Sequence, residues 1–261
     1  MTSALHIARS GLDALDQRMK AISNNLANAA TTGFKRDRAA FATMMYDDPR
    51  VAGTPSGADN RYATGLGTGT GVRVVGIERI HSQGQLINTE GALDLAIEGQ
   101  GFFAVTQPDG SLAFTRDGAF KLNPEGELVT NAGLRLQPAI AIPEGAQSIT
   151  IAPDGTVAVV VAGQAAPVEA GQIQVTRFLN PAGLQPRGDN LYTETVASGP
   201  PQEGAPGQDG AGSIRQGALE GSNVSTVQEL VEMIETQRAY EINSKVINAA
   251  DEMSRYVTQN T

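Results

Sequence analysis

Side chains that could carry chemistry are few in this 261-residue chain and badly spaced for it. It has no Cys, which excludes disulfides, thiolate metal sites and cysteine nucleophiles. Only two histidines occur, His6 and His81, so a catalytic triad or a histidine-held metal would have to be built on that pair. Neither His-x-x-x-His nor Gly-x-Ser-x-Gly spacing is present. Carboxylates that could pair for acid-base work, Asp47 with Asp48 and Glu125 with Glu127, sit among turn residues, where solvated structural roles dominate. One stretch fits a dinucleotide fingerprint formally: Gly99-x-Gly101-x-x-Ala104 after the apolar run Leu93 to Ile97. A pyrophosphate site needs the last small residue to open a helix. Here GQGFFAVTQPDG stays strand-like up to a Pro-Asp-Gly turn, so close backbone approach at a strand start is the better reading. The series Gly65, Gly67, Gly69, Gly71 lacks the Lys-Ser/Thr of a phosphate loop. Nothing in the pattern makes an active site, and no cofactor or metal is expected.

The elements that would have to position such groups point elsewhere. From Leu5 the apolar series Ala8, Leu12, Leu15, Met19, Ile22, Leu26, Ala29 steps alternately by three and four, a heptad seam over more than three repeats. It stops at Thr31-Thr32-Gly33, where β-branched residues meet a glycine suited to a left-handed cap. At the other end Ser225-x-x-Gln228 and Thr226-x-x-Glu229 are overlapping capping boxes. Val224, Val227, Val231 and Ile234 open a second stripe, which Ala239, Ile242, Val246, Ala249, Met253 and Tyr256 continue one residue out of phase, past Arg238. Between these arms, turn signals such as Asn123-Pro124-Glu125-Gly126 and Pro153-Asp154-Gly155 recur roughly every ten residues, as antiparallel β structure requires. Strands are expected at Phe102–Thr106, Leu112–Thr115, Glu127–Thr130, Ser148–Ile151, Thr156–Val161 and Gln172–Phe178. Two Gly- and Pro-rich stretches, Pro49–Gly71 and Gly199–Gly212, read as long loops. The expected fold is therefore α+β: a β-rich middle, antiparallel and barrel- or sandwich-like, with terminal coiled-coil helices packing together. Residues 1–32 with 222–261 form the helical assembly domain, 33–91 a connecting region and 92–221 the β domain.

Composition excludes several partners. Nineteen Lys and Arg against 28 Asp and Glu leave a net charge of -9, the wrong sign for a phosphate backbone or an anionic lipid surface. The longest wholly apolar run, Val157 to Ala162, is far too short to span a bilayer. No basic segment followed by an apolar stretch opens the chain, so no cleavable secretory signal is expected. Charge is uneven: residues 1–45 carry six basic and three acidic side chains, residues 222–261 three and six. Opposite signs favour pairing of the arms.

Two helical arms allow two readings, a stalk paired within one molecule or packing among many copies. The N-terminal arm offers a second face, Gln17, Ala21, Asn24 and Asn28, small or amide-bearing and uncharged, where a solvated face would normally hold Lys and Glu. Packing on two faces implies a lattice. The expected self-assembly residues are Leu12, Leu15, Met19, Ile22, Asn24, Leu26 and Asn28 in the first arm, with Val227, Val231, Ile234, Ile242, Val246 and Met253 in the second.

Several segments are more specific. SNNLANAATTGFK (Ser23 to Lys35), EGQGFFAV (Glu98 to Val105) and SNVSTVQELVEMIETQRAYEINSKVI (Ser222 to Ile247) resemble signatures of the bacterial flagellar rod and hook family. TRDGAF, LVTNAG and NLYTET fall between them in the family's order, so the likeness covers nearly the whole chain. A hook protein would be markedly longer and the small proximal rod proteins much shorter. The resemblance implies a structural polymer rather than an enzyme: unfolded export through the flagellar type III apparatus, helical assembly with itself in the periplasm, and service as a drive shaft. Implied partners are the proximal rod proteins, the hook protein or hook junction, and the peptidoglycan-associated and outer-membrane rings. The alternatives are a similar-sized proximal rod or hook-type axial protein of the same family and, in a different class, a periplasmic or secreted β-rich binding module on a helical stalk.

Overall fold

The computed structural model describes residues 2–55, 60–162 and 166–259. The chain divides into two compact units, one drawing on Met1–Leu26, Asp37–Glu78 and Ser225–Thr261, the other on Ala27–Arg36 and Arg79–Val224.

The first unit holds two long helices, α1 (Thr2–Ala27) and α2 (Thr226–Gln259). Among the described residues no helix is long and apolar enough to cross a membrane. α1 ends earlier than its apolar seam, which runs on to Ala29. Asn28 accepts hydrogen bonds from the Thr31 N–H (3.1 Å, main chain) and the Thr31 hydroxyl (3.3 Å, side chain), and these short polar residues turn the chain out of the helix. The left-handed residue expected there is Gly33, with φ of +68°. α2 starts at its capping boxes. Strand Asp37–Thr43 pairs with Val72–Arg79, and Asp47–Arg50 pairs antiparallel with Leu66–Thr68.

That second pairing corrects the expectation of a loop over Pro49–Gly71. Main-chain ladders need no apolar side chains, so Gly- and Pro-rich sequence pairs here with a register shift between Asp47 and Arg50. The Arg50 guanidinium lies 4.0 Å from the Tyr62 ring centre. The part of the stretch at 56–59 lies outside the described residues. Gly199–Gly212 is likewise not wholly loop, since Gln202–Gly204 pairs antiparallel with Val175–Arg177.

The strand ladders described in the second unit run antiparallel. Its seven-stranded sheet runs, in spatial order, Gln185–Gly188, Leu191–Thr193, Leu112–Thr115, Phe103–Thr106, Arg135–Gln137, Leu128–Thr130 and Phe120–Leu122. A three-stranded sheet joins Ala146–Ile151, Thr156–Val161 and Val168–Gln172. Among the described residues no sheet closes into a barrel, which removes the barrel alternative. One edge strand carries Pro186 and a register shift, features that block further pairing.

Strand geometry explains why GFFAV reads as a continuous apolar run. Successive side chains alternate between faces. Phe103 packs with Leu95, Ile97, Phe120, Leu136 and Ile173 in the larger core, whereas Phe102 and Ala104 join Phe114, Phe178 and Tyr192 in the smaller one. Both faces are buried. Gly101 starts this strand with φ of +136°, and a Cβ there would lie 2.0 Å from Val175 Cγ1, the close approach its sequence context suggests.

Candidate assembly site

α1 and α2 lie side by side and antiparallel, because three contacts join them in reverse order. Asn243 Nδ2 donates to the Ala8 carbonyl at 3.2 Å, Arg18 Nη2 lies 3.5 Å from Glu232 Oε2, and Asn25 Nδ2 donates to Glu229 Oε2 at 3.1 Å. Small residues make this possible. Ala8, Ala14 and Ala21 are buried, and a Cβ at Gly11 would stand 2.5 Å from Asn243 Nδ2.

Polar residues take part of the face of α2 turned to α1. Glu229 and Thr236 are almost wholly out of water, and the Thr236 hydroxyl donates to the Glu232 carbonyl at 2.6 Å. Asn25 completes the junction: its Oδ1 accepts the Asp37 N–H and its Nδ2 donates to the Asp37 carbonyl, each at 2.8 Å. Buried polar groups with partners escape the desolvation penalty of orphaned ones.

The apolar stripe of α2 therefore faces away from α1. Val227, Val231, Ile234, Ile242, Val246 and Met253 are all at least half exposed, from 50% for Ile234 and Val246 to 71% for Val227. Burying a side chain of this size fully is worth about 1.5–3 kcal/mol, so the stripe is a substantial unsatisfied surface. In α1, Ile22 is buried while Leu12, Leu15, Met19 and Leu26 are half-buried. Asn24 is exposed, its Nδ2 donating to Asp37 Oδ2 at 3.3 Å. Asn28 belongs to the β unit, on the wall of a polar cleft of about 540 Å³ with Thr31, Asp117, Asn131, Asp189 and Asn190. The structure thus brings the α2 residues onto one outward face and does not set them against the α1 stripe. A groove of about 330 Å³ runs between the helices, lined by Leu15, Asp16, Met19, Gln237, Tyr240 and Glu241.

Sequence reasoning missed a buried ionic cluster in the β unit. Lys35 Nζ lies 2.6 Å from Glu220 Oε1 and Arg116 Nη1 lies 3.3 Å from Glu220 Oε2, all three side chains being almost entirely out of water. Lys35 also donates to the Ser82 carbonyl at 2.7 Å, and Gly84 N–H to Glu220 Oε1 at 2.8 Å. Burial pulls the Lys35 ammonium below its ordinary pKa, against the opposing pull of Glu220, and burial lowers Arg116 similarly. Two more bonds hold the same segments together: Gly33 N–H to the Glu220 carbonyl at 2.8 Å, and Arg36 N–H to Asn223 Oδ1 at 2.7 Å. The only sequence signal was position: Lys35 closes the Ser23–Lys35 motif, Arg116 lies in TRDGAF, and Glu220 stands two residues before the Ser222–Ile247 motif.

His81 packs edge-on against Phe102 and Tyr192, with ring centres 5.5 and 5.4 Å away, as part of an aromatic cluster rather than a triad. Among the described residues no three His, Asp or Glu side chains gather as metal ligands.

Comparison with known proteins agrees with this layout. Residues 5–35 match the family described as "Flagella basal body rod protein", residues 96–159 the "Flagellar hook protein FlgE/F/G D1 domain", and residues 215–260 the "Flagellar basal body rod FlgEFG protein C-terminal". The chain is 51% identical over 259 residues to the flagellar basal-body rod protein FlgG of Buchnera aphidicola subsp. Acyrthosiphon pisum, covering 99% of this chain and all of that protein. It is 45% identical to the protein of that name from Agrobacterium fabrum, over 98% of each. Identity is 37% to the flagellar basal-body rod protein FlgF of Caulobacter vibrioides, over 98% of this chain and 96% of that one. The chain belongs to the flagellar basal-body rod protein family.

Proposed function

We propose that this chain is a structural subunit of the distal flagellar rod, polymerising helically into the periplasmic shaft that passes torque from motor to hook. Full-length identity to proteins named FlgG, higher than to the FlgF relative cited above, supports the distal reading. The observation that carries polymerisation is the exposed apolar stripe of α2: a chain acting alone would hold that much aliphatic surface in water for no return. Residues 1–32 with 222–261 act as the assembly domain, their helices packing in coiled-coil fashion among copies, with residues 33–91 as connector and 92–221 as the β domain. The chain reaches the periplasm through the type III export apparatus. There it meets the proximal rod proteins, the hook or its junction, and the surrounding peptidoglycan-associated and outer-membrane rings.

Electron microscopy of the concentrated, purified full chain tests this. Helical tubes are the expected result. Discrete trimers at every concentration would instead indicate a β-rich module on a helical stalk.

A further inference from the structure

We infer that a small pit in the β unit, floored by the Thr176 hydroxyl, is a binding site for a primary ammonium group, the tip of a lysine side chain or of a short aliphatic amine. The pit lies wholly within the β unit and draws nothing from the helical arms.

Strand pairing makes the pit. Gln137 stands opposite Ala104 and Thr176 opposite Glu203, so each pair shares a sheet face. Gln174, two residues before Thr176, lines the same space. Ala104 is small, and Leu112 and Pro138 complete apolar walls around a volume of about 110 Å³. Small-molecule pockets run to roughly 300–1,000 Å³. This one is restricted to an occupant the size of a single side chain.

Counting donors and acceptors identifies that occupant. The Thr176 main chain is satisfied, its N–H donating to the Phe102 carbonyl at 2.9 Å and its carbonyl accepting the Phe102 N–H at 2.8 Å. Its hydroxyl is not. Thr176 is 1% exposed and its Oγ1 has no protein partner, a costly state for a buried polar atom. Gln137 donates through Nε2 to Thr106 Oγ1 at 2.8 Å, which leaves its Oε1 as an acceptor. The Gln174 amide and the Glu203 carboxylate have no partner among the described residues. Acceptors therefore outnumber donors, and an ammonium brings three donors and no acceptor.

Charge and shape agree with that count. Glu203 is the one ionisable group lining the pit. Arg135, two residues before Gln137, is already engaged by Glu127 at 3.0 Å, and Arg177 falls on the face of its strand opposite to Thr176. Lys121 stands on an edge strand, two strands from Gln137. Water filling the pit would wet Ala104, Leu112 and Pro138. An aliphatic amine covers those walls with its methylene stem and sets its charged tip on the polar groups.

The probe is n-butylammonium, which is the lysine side chain without its backbone. Titrated into the dilute, isotope-labelled full chain, it should give saturable nuclear magnetic resonance shifts in the side-chain amides of Gln137 and Gln174 and in the Thr176 N–H. Glu203→Gln, on an exposed side chain, should weaken the affinity by about tenfold, as the loss of one charge-assisted hydrogen bond requires, and the nearly isosteric Thr176→Val should weaken it too. Tetramethylammonium, a cation without N–H donors, and butanol, the same stem without charge, should leave these signals unmoved. The same signals identify the source of the amine. Shifts that appear on concentrating the chain without probe, and vanish when the exposed Lys121 and Lys245 are both changed to Gln, assign it to a second copy; Lys20 is paired with Asp16 and Lys35 is buried. Shifts with the probe alone assign it to a molecule other than this chain. No saturable shift, equal shifts with tetramethylammonium or butanol, or undiminished affinity in both variants overturns the site.

Discussion

Lys35 and Glu220, 185 residues apart in sequence, meet at 2.6 Å with neither side chain touching water. Arg116 closes on the same carboxylate from its other oxygen, so one buried anion serves two buried cations. Such a cluster is weak evidence of net stability, because desolvation opposes the Coulomb gain. Removing one member is a different matter, since it leaves charge buried without compensation.

Glu220→Gln should therefore destabilise the β unit more than Lys35→Met does, because it strips both cations of their partner. Each change should cost about 3–5 kcal/mol. Equilibrium denaturation with urea, followed by tyrosine fluorescence, measures the difference. Equal and small effects would mean that the cluster is dispensable.

Asn25→Ala should loosen the junction of the two helices. It removes the acceptor of the Asp37 N–H, the donor to the Asp37 carbonyl and a donor to the Glu229 carboxylate, hydrogen bonds each worth about 0.5–1.5 kcal/mol. Hydrogen exchange should accelerate at Asp37 and in the first turns of α2, leaving Phe103 and Leu136 in the β core unchanged.

Val231→Asp and Ile22→Asp should separate assembly from folding. Val231 is half exposed, so aspartate there costs the monomer little and withholds its effect until copies meet. The critical concentration should rise tenfold or more, while helical circular dichroism of the monomer stays constant. Ile22 is 2% exposed, and a carboxylate at that position should reduce the helical signal itself.

Gly101→Ala should lower the melting temperature of the β unit. The new methyl group meets Val175 Cγ1 at 2.0 Å and must adopt a positive φ, a strain of about 1–3 kcal/mol before any clash is relieved. Gly110→Ala also adopts a positive φ but has no neighbour within 4 Å, and its smaller loss serves as the internal control.

Asp154→Asn should flatten the acid limb of stability. Hydrogen bonds from Thr156, including its N–H at 3.0 Å, hold the Asp154 carboxyl below its ordinary value of 3.8. A depressed folded pKa gives stability that is present above the unfolded value and lost as pH falls through the folded one. Thermal melts between pH 4.5 and pH 2 should therefore show a shallower decline for the asparagine variant, which keeps the turn but not the titration.

Reading the sequence alone located both helices, the antiparallel β middle and most of its strands, because those depend on periods of 3.5 or 2 and on turn residues, all local. Leu112–Thr115 and Thr156–Val161 were legible to the residue. The motifs at Ser23–Lys35, Glu98–Val105 and Ser222–Ile247 carried the family. Which face of α2 meets α1 was not legible. Periodicity identifies an apolar stripe but not its neighbour, and here Asn25, Glu229 and Asn243 take the inward side because each polar group finds a partner there. Strand pairing at Asp47–Arg50 and Gln202–Gly204 was hidden for a related reason, since main-chain ladders leave no apolar signature. The Lys35–Glu220–Arg116 cluster was out of reach altogether. Its members come from three distant segments, and only the folded chain excludes the water that would otherwise make them ordinary surface charges.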